Sequence, residues 1–426
     1  MQRLAWGRPA WKPASSSVFC DGQRTAFALI CSASDPKSRT ASRAVQEPES
    51  ELVLGERMNE QQKDAPCQSP VVRPALIASE RTLSEYSTYL EHFLVGFVDE
   101  SIPVVLICPP DSDAESFVSG PVELIGYPAI RLPFMGHHNR KRLVQQLSNF
   151  KPTVLHCLCE SRARLTRHLA RQLGLPYLLA VNSLRTAGIR LSISWRHCAK
   201  LIVPTRTVAE DLADAYPRWA ERIEQITIGT FVEQDSTCFS KPSHLASMVI
   251  AYPLDNPADF ENLFSAVRHL AIGGYEFALV VMGAGRAERP LRKLLAALDL
   301  LQSVTIVPRL KPWRAVLAAG DIFIQPRPTV SFDPLMLEAM SVGSAVAACK
   351  GGVDDLIIEN ETAVLFDPAD ELSIRGTLQR LFDRPEFARQ LARAAQGCLR
   401  QNHSVSNMIS ATLQAYRQAQ QWFQQQ

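Results

Sequence analysis

The sequence predicts an α/β protein built from two doubly wound domains, and three observations support this prediction. The chain has 426 residues, of which 46% are hydrophobic and 21% charged, which is enough for two domains with apolar cores. Short apolar runs alternate with segments of helical periodicity from residue 71 onward. A polar linker around Gln234 to Ser247 interrupts the alternation, which then starts again.

Strands and helices follow each other regularly in the first half, which we predict to be one domain over residues 71–240. Its apolar runs predict the strands Pro74–Ala78, Pro103–Cys108, Thr153–Leu158, Tyr177–Val181, Leu201–Pro204 and Ile226–Ile228. Its amphipathic segments predict the helices Leu83–Glu100, Asn139–Ser148, Arg162–Leu173 and Thr205–Tyr216. This alternation is typical of a doubly wound parallel sheet.

The same alternation predicts a second domain over residues 246–405, followed by a terminal helix within 406–426. The predicted strands are Met248–Ala251, Phe277–Met282, Val304–Val307, Ile322–Gln325 and Ala345–Cys349. The predicted helices are Pro257–Gly273, Arg289–Leu298, Trp313–Ala319, one that starts at Pro334, Val353–Ile358, Glu371–Phe382, Pro385–Leu399 and Ser406–Gln425. The strand Ala345–Cys349 shows no polar alternation, which indicates burial on both faces.

The segment Asp321–Pro368 is where we expect a ligand. Asp333 is a good N-cap and Pro334 fits the first position of the helix that follows it. Gly351 and Gly352 form a strand-to-helix turn that lets a ligand come close to the backbone. Both predicted helix N-termini lie at the carboxyl ends of parallel strands, which is where open α/β sheets bind ligands.

This segment resembles the donor-binding domain of family-4 (group 1) glycosyltransferases, which are retaining enzymes with the GT-B fold. The residues that match the family's loop, helix and turn are Pro326, Phe332, Glu338, Ala339, Met340, Gly343, Val346, Gly351 and Gly352. The resemblance covers about residues 71–420 and is strongest from about 277 onward. It implies two Rossmann-like domains that face each other across a cleft, an acceptor domain first and a nucleotide-sugar domain second. It also implies that the terminal helix crosses back to the first domain.

The resemblance assigns a donor site. Glu338 falls on the glutamate that accepts hydrogen bonds from the nucleotide ribose, and Gly283 and Gly285 fall on a turn that allows the nucleotide to approach. The backbone around two segments is implied to hold the phosphate and the sugar, and these residues are Phe332, Asp333, Pro334, Leu335, Gly351, Gly352 and Val353.

Several charged positions of the family are neutral in this chain. The family's first glutamate, near the transferred sugar, falls on Val330, and its diphosphate-binding arginine and lysine fall on Tyr252 and Pro257. Losing one such stabilising group typically costs several kcal/mol at the transition state. Five cations in nearby predicted loops are candidates to bind phosphate instead, the alternative being solvated loop charges: Arg286, Arg309, Lys311, Arg327 and Lys350.

The first domain offers two weaker catalytic candidates. His156 agrees with a histidine common at the end of that strand, although a satisfied histidine at the edge of the core is the alternative. Asn182, followed by Ser183, stands where the family often has a histidine near the reacting centre. The nucleophile implied is the acceptor hydroxyl, and no residue is identified as general base.

The predicted function is therefore transfer of a sugar from a nucleotide diphosphate donor to a glycan or lipid acceptor. A catalytically inactive binding or scaffolding protein is the alternative, because the charged positions are lost. No cofactor or metal is expected, since the implied fold stabilises the leaving group with helix dipoles and basic side chains. A net charge of +2 and a pI of about 8.0 give no indication of a nucleic-acid partner.

Location is predicted from cysteine usage and from the N-terminal composition. Ten scattered cysteines, several of them in predicted buried strands, indicate a reduced cytoplasmic protein, and Cys157 and Cys159 beside His156 lack a second cluster of zinc ligands. Residues 1–70 are expected to be a disordered extension, either a transit peptide or a stretch upstream of a true start at Met58. The basic run His137–Arg142 indicates either contact with an anionic acceptor or membrane surface, or a solvated helix face.

Overall fold

The structure is a computed structural model that describes residues 71–110, 112, 114, 122–127, 136–185, 191–240, 245–308 and 313–426. The expectations for residues 1–70, including the start at Met58, and for Arg309 and Lys311 lie outside the described residues. Both sheets of the described part belong to a single compact unit.

The first sheet has seven parallel strands in the spatial order β3-β2-β1-β4-β5-β6-β7. Its strands are β1 (Pro74–Ile77), β2 (Val104–Cys108), β3 (Val122–Gly126), β4 (Val154–Cys157), β5 (Tyr177–Ala180), β6 (Cys198–Val203) and β7 (Ile223–Gln225). The strand order reverses between β1 and β4, and the central strands are fully buried because helices cover both faces.

The second sheet has six parallel strands in the order β10-β9-β8-β11-β12-β13. They are β8 (Ala246–Ala251), β9 (Phe277–Met282), β10 (Val304–Val307), β11 (Ile322–Ile324), β12 (Ala345–Ala348) and β13 (Val364–Leu365). The order again reverses between neighbouring central strands, β8 and β11. The loops after β8 and β11 therefore flank the crevice in which such sheets bind ligands.

Twelve α-helices connect or cover the described strands. Their bounds are Glu80–Glu85, Ser87–Asp99, Gly136–Phe150, Ala163–Leu173, Arg206–Ala215, Glu261–Ile272, Glu288–Ala297, Trp313–Ala318, Pro334–Ser341, Glu371–Asp383, Pro385–Asn402 and Val405–Gln424. Short 3₁₀ helices cover Glu160–Arg162, Pro217–Arg222 and Pro257–Asp259.

Three predictions of local structure were wrong, and two strands were missed. The long helix predicted over Leu83–Glu100 is two helices, broken at Tyr86, where φ is −113° and ψ is 25°. The strand predicted at Ile226–Ile228 lies three residues earlier, as β7 at Ile223–Gln225. The apolar residues Ile226 and Ile228 are buried, but they follow the residues that pair with β6. The helix predicted over Val353–Ile358 is a turn, and the edge strands β3 and β13 were not predicted.

The terminal helix Val405–Gln424 packs on the first sheet. Its Tyr416 is fully buried and stacks on Phe97, with ring centroids 6.1 Å apart. Gly96 allows this close approach, since a Cβ there would lie 2.4 Å from a side-chain atom of Ile409. The chain therefore passes from the second domain back to the first at its end.

Candidate functional site

The turn after β9 lies against the loop after β8. A Cβ at Gly283 would lie 2.2 Å from the Tyr252 carbonyl oxygen, and one at Gly285 would lie 2.2 Å from the Leu254 carbonyl oxygen. The Leu254 amide donates to the Ala284 carbonyl at 3.2 Å. Because these two glycines have no Cβ, the loop after β8 can pack directly against them. The approach of a nucleotide to the same glycines stays a prediction.

The helix Pro334–Ser341 begins as the sequence predicts. Asp333 is its N-cap, and the Asp333 Oδ1 atom accepts hydrogen bonds from the amides of Leu335 at 3.0 Å and Met336 at 3.2 Å. Phe332, just before the cap, is buried. A phosphate would need the same amides. The Asp333 carboxylate therefore accepts hydrogen bonds from backbone amides in the segment that we predicted to bind the nucleotide sugar.

Glu338 is 2% exposed and is the centre of a buried polar cluster. Its Oε1 accepts from the Thr230 hydroxyl at 2.7 Å, and its Oε2 accepts from Arg314 Nη1 at 2.8 Å. His92 Nδ1, from the first domain, lies 3.8 Å from Oε1. Burial raises the pKa of Glu338, although the hydrogen bonds from Thr230 and Arg314 oppose the rise.

Arg314 ties this cluster to the segment that joins the two sheets. Its Nη2 atom donates to the Phe231 carbonyl and to Glu233 Oε1. Burial, together with the Arg314 charge, lowers the pKa of His92 to about 4, so this imidazole is neutral at pH 7. The ribose role of Glu338 stays a prediction, because the described contacts of its carboxylate are all internal.

The turn after β12 has two glycines with positive φ, 104° at Gly351 and 72° at Gly352. The Gly351 amide donates to Asp354 Oδ2 at 2.9 Å, and the Val353 amide donates to the Thr329 carbonyl at 2.8 Å. A Cβ at Gly352 would lie 2.0 Å from that same carbonyl oxygen. Here too the amides predicted to hold phosphate already have acceptors within the chain.

Three of the candidate cations lie among the described residues. Arg327 Nη2 donates to the Ala258 carbonyl at 2.7 Å, and its Nε lies 3.6 Å from Asp259 Oδ1. Arg286 Nε donates to the Asp255 carbonyl at 3.2 Å, and Lys350 Nζ, on a side chain 68% exposed, lies 3.2 Å from Glu359. Of these, Arg327 is 27% exposed and is the one that bridges the loops after β11 and β8.

His156 lies inside the core of the first domain at 2% exposure. Its Nδ1 atom is 2.8 Å from the Tyr416 hydroxyl, and burial lowers its pKa to about 3. Its Nε2 atom makes no hydrogen bond within the described residues, and the ring lines a cavity of about 20 Å³, room for about one water molecule. These contacts favour the alternative of a core histidine over the catalytic one.

Asn182 lies at the contact between the two domains. Its backbone carbonyl accepts from the Phe332 amide at 2.9 Å, and its amide donates to Glu160 Oε1 at 3.1 Å. The structure thus brings Asn182 together with the loop that contains Val330, while His156 stays apart from that loop in the core.

Sequence reasoning missed the partners that tertiary structure supplies, chiefly Tyr86, His92, Glu160, Thr230 and Arg314. One signal existed, because a carboxylate on an otherwise apolar helix requires a partner. Among the described residues, no group of three or more His, Cys, Asp or Glu side chains is arranged to hold a metal. Within the same ranges, no helix has the length and apolar character needed to span a membrane.

The sequence comparisons point to one family. Residues 250–384 match the family model described as Glycosyl transferases group 1. A D-inositol 3-phosphate glycosyltransferase of Acidothermus cellulolyticus is 30% identical over 151 residues, 34% of this chain and 33% of that protein. A sulfoquinovosyl transferase of Arabidopsis thaliana is 22% identical over 284 residues, 60% of this chain and 54% of that protein. The chain thus spans about a third to about half the length of these curated relatives.

Solved structures show the fold. A glycosyltransferase from Rickettsia africae has a TM-score of 0.68 at 15% identity, covering 82% of this chain and 99% of that one. The Anabaena protein HepE, in complex with UDP and glucose, has a TM-score of 0.67 at 13% identity, covering 80% of this chain and 98% of that one. The prediction of two parallel-sheet domains in the GT-B arrangement is confirmed.

Proposed function

We propose that this chain, whose residues 250–384 belong to the group 1 glycosyltransferases, moves a sugar from a nucleotide diphosphate donor to a hydroxyl of a glycan or lipid acceptor. The donor would lie between the carboxyl edges of the two sheets. The loops after β8 and β11 line this crevice on the side of the second sheet.

The position of Arg327 is the observation that supports this proposal most. Arg327 contacts the loop after β8, in which the family's two cations are replaced by Tyr252 and Pro257. Its guanidinium donates to the carbonyl of Ala258, the residue that follows Pro257. Pro257 is the position at which the resemblance places the family's diphosphate-binding lysine. A cation on the loop after β11 thus contacts the residue next to Pro257 on the loop after β8, where the family has its lysine. A guanidinium can bind a diphosphate through two parallel charge-assisted hydrogen bonds.

In the proposed reaction the acceptor hydroxyl attacks the anomeric carbon of the sugar. The new carbon–oxygen bond forms while the bond from that carbon to the diphosphate breaks, and the hydroxyl proton leaves with the nucleoside diphosphate. We propose retention of configuration, as the resemblance implies. The protein would contribute electrostatic stabilisation. Arg327 and the N-terminus of the helix Pro334–Ser341 would stabilise the negative charge on the leaving group.

The acceptor would approach from the first domain. Lys141 and Arg142 are exposed on the helix Gly136–Phe150 and suit an anionic glycan or a lipid surface. Sedimentation with vesicles that contain anionic lipid tests the lipid acceptor. Sedimentation no greater with anionic vesicles than with neutral ones would count against membrane contact through these cations.

Thermal-shift titration of the full chain with UDP-glucose, GDP-mannose and ADP-glucose tests donor binding. At least one of them should raise the melting temperature, and Arg327→Ala should weaken its binding about tenfold to a hundredfold, because a hydrogen bond to a charged group is worth about 1.5 to 3 kcal/mol. Arg393→Ala is the matched control, since Arg393 is 62% exposed on the helix Pro385–Asn402. If none of the donors shifts the melting temperature, the proposal is wrong.

A second candidate function is a binding or scaffolding protein without transferase activity. The specific observation in its favour is that Val330 occupies the position of the family's glutamate near the transferred sugar while Asp333 holds the helix amides. Donor binding without release of nucleoside diphosphate in the presence of mixed glycan and lipid acceptors would favour this candidate.

A further inference from the structure

The loop after β11 is joined to the first domain by its backbone. We call residues Thr329–Phe332 the strap. The Leu184 amide donates to the Val330 carbonyl at 2.8 Å, and the Phe332 amide donates to the Asn182 carbonyl at 2.9 Å. Ser183 and Ser331 thereby form an antiparallel pair across the two domains. The strap therefore acts as a short strand shared by both domains.

The first domain braces its side of this pair. Glu160 Oε1 accepts from the Asn182 amide and from the Ser183 hydroxyl, both at 3.1 Å. The Tyr86 hydroxyl, on a side chain 7% exposed, donates to the Phe332 carbonyl at 3.0 Å. Among the described residues these make three hydrogen bonds between the first domain and the strap, and the Tyr86 bond is buried.

The second domain braces the opposite side. Thr329 pairs with Gly352 in a parallel bridge, and its carbonyl accepts from the Val353 amide at 2.8 Å. Only a glycine fits at position 352, because any Cβ would lie 2.0 Å from the Thr329 carbonyl oxygen. The strap is thus the middle of three short segments that run from one domain to the other.

The strap contains a position that the resemblance places at the reacting sugar. Val330 and Asn182, with Ser183 beside it, are the positions at which the resemblance places charged groups around the reacting sugar. In this chain the Val330 carbonyl accepts from the Leu184 amide and the Asn182 carbonyl accepts from the Phe332 amide, so both positions lie in the same antiparallel pair. Residues 182–184 follow β5 and the strap follows β11, so the joint lies at the carboxyl ends of both sheets, and its Val330 side chain is 69% exposed. A nucleotide sugar bound between these carboxyl edges would lie against the joint.

We propose that the strap is an autoinhibitory closure, which holds the two domains together in the unliganded chain and must release Asn182–Leu184 before a nucleotide sugar binds. This inference rests on the proposed function for the identity of that ligand. A neutral hydrogen bond contributes about fivefold to such an equilibrium, so the three together reduce the apparent affinity for the donor about a hundredfold.

A disulfide between Ser183→Cys and Ser331→Cys tests the closure directly. The hydrogen bonds flank this pair on both sides, which makes it a non-hydrogen-bonded antiparallel pair with Cα atoms about 4.5 Å apart, within the range of disulfides. The oxidised double variant should give no thermal shift with UDP-glucose, GDP-mannose or ADP-glucose, and reduction should restore the shift. Each single variant under the same oxidant is the control for the native cysteines. If the oxidised double variant binds donor as well as the reduced one, the strap is not a closure.

Tyr86→Phe tests the same inference from the other side. The variant removes one of the three crossing hydrogen bonds and keeps the ring, so we expect donor affinity to rise about fivefold. An unchanged or lower affinity would contradict the closure. A double variant that also contains the oxidised Ser183→Cys/Ser331→Cys bridge should lose this gain.

Amide hydrogen exchange separates this inference from the proposed function. In the unliganded chain, the amides of Leu184 and Phe332 should be protected, because both are donors across the strap. Exchange as fast as that of exposed loop amides would overturn the closure, even where a donor binds. Protected amides in a chain that binds none of the three donors, even as the Tyr86→Phe variant with its weakened strap, would leave the inter-domain contact standing and refute the proposed function.

Discussion

Replacing Glu338 by alanine should destabilise the fold by about 2 to 3 kcal/mol, because its carboxylate is structural as it stands. The change removes the acceptor of the Thr230 hydroxyl at 2.7 Å and of Arg314 Nη1 at 2.8 Å. Breaking a fully buried ion pair costs about 3 to 5 kcal/mol. Arg314 is 25% exposed and keeps its contact with Glu233, so the expected cost is lower.

The assay is unfolding in urea, followed by fluorescence, for the wild type and three variants. Glu338→Gln keeps an oxygen that can accept from Thr230, so it should cost less than Glu338→Ala. Glu233→Gln is the control, since this other partner of Arg314 is 56% exposed and such surface pairs contribute at most about 1 kcal/mol. A loss of 2 to 3 kcal/mol is large against a typical total of about 5 to 15 kcal/mol.

The dependence on pH supplies a second readout for Glu338. Burial raises its pKa in the folded state above the ordinary glutamate value of 4.5. A raised folded pKa stabilises the fold at pH values below the unfolded pKa, and this contribution is lost as the pH rises through the folded pKa. The stability deficit of Glu338→Gln relative to the wild type should therefore shrink as the pH rises from 4 to 7, a range chosen around that ordinary value.

One result would refute this reasoning about Glu338. If Glu338→Ala unfolds within about 0.5 kcal/mol of the wild type, the spread expected for neutral surface changes, the internal contacts of the carboxylate are not stabilising. If the same variant also loses its thermal shift with nucleotide sugars, Glu338 acts on the ribose as the resemblance implies.

Two further predictions follow from the same region and from the core. Asp333→Gly should cost only a few tenths of a kcal/mol as a cap, yet raise donor affinity by freeing the helix amides, and titration of the variant with nucleotide sugars measures this. His156, whose folded pKa of about 3 lies below its ordinary 6.5, stabilises the fold fully above pH 6.5 and loses this contribution as the pH falls toward 3. Urea midpoints between pH 7 and pH 4 should fall less steeply in His156→Gln than in the wild type, and equal slopes would contradict the assignment.

Much of the fold could be predicted because helix caps and apolar runs depend on residues that are close together in the sequence. The start of the helix at Asp333 and Pro334, and strands such as Phe277–Met282, lie where cap chemistry and apolar runs place them. The missed strand Val122–Gly126 is an edge strand with only Ile125 buried, so burial left little pattern in its sequence. The turn at Val353 was mistaken for a helix because glycines precede helices and turns alike.

The candidate site could be predicted only as a list of positions. Aligning the loop after β11 with a known pattern identified Val330 and Glu338 from residue types alone. The partner of Glu338 could not be found this way, because Arg314 lies 24 residues away and His92 on another domain. Tertiary packing also decided which candidate cation bridges the loops after β11 and β8, and this is Arg327, whereas the exposed Lys350 contacts Glu359.

The amides predicted to bind the donor have acceptors within the chain, and this has a physical consequence for any ligand. Asp333 accepts from the Leu335 and Met336 amides, and Asp354 accepts from the Gly351 amide, so a ligand that binds these amides must displace the present acceptors. A monosaccharide, with neutral hydroxyls, gains little over these charged acceptors. A diphosphate carries two or more charges and would also be attracted by Arg327, so we expect it to compensate this displacement better than a neutral sugar. The affinity of Arg327→Ala for a nucleotide diphosphate without its sugar therefore decides whether the site selects for the phosphates.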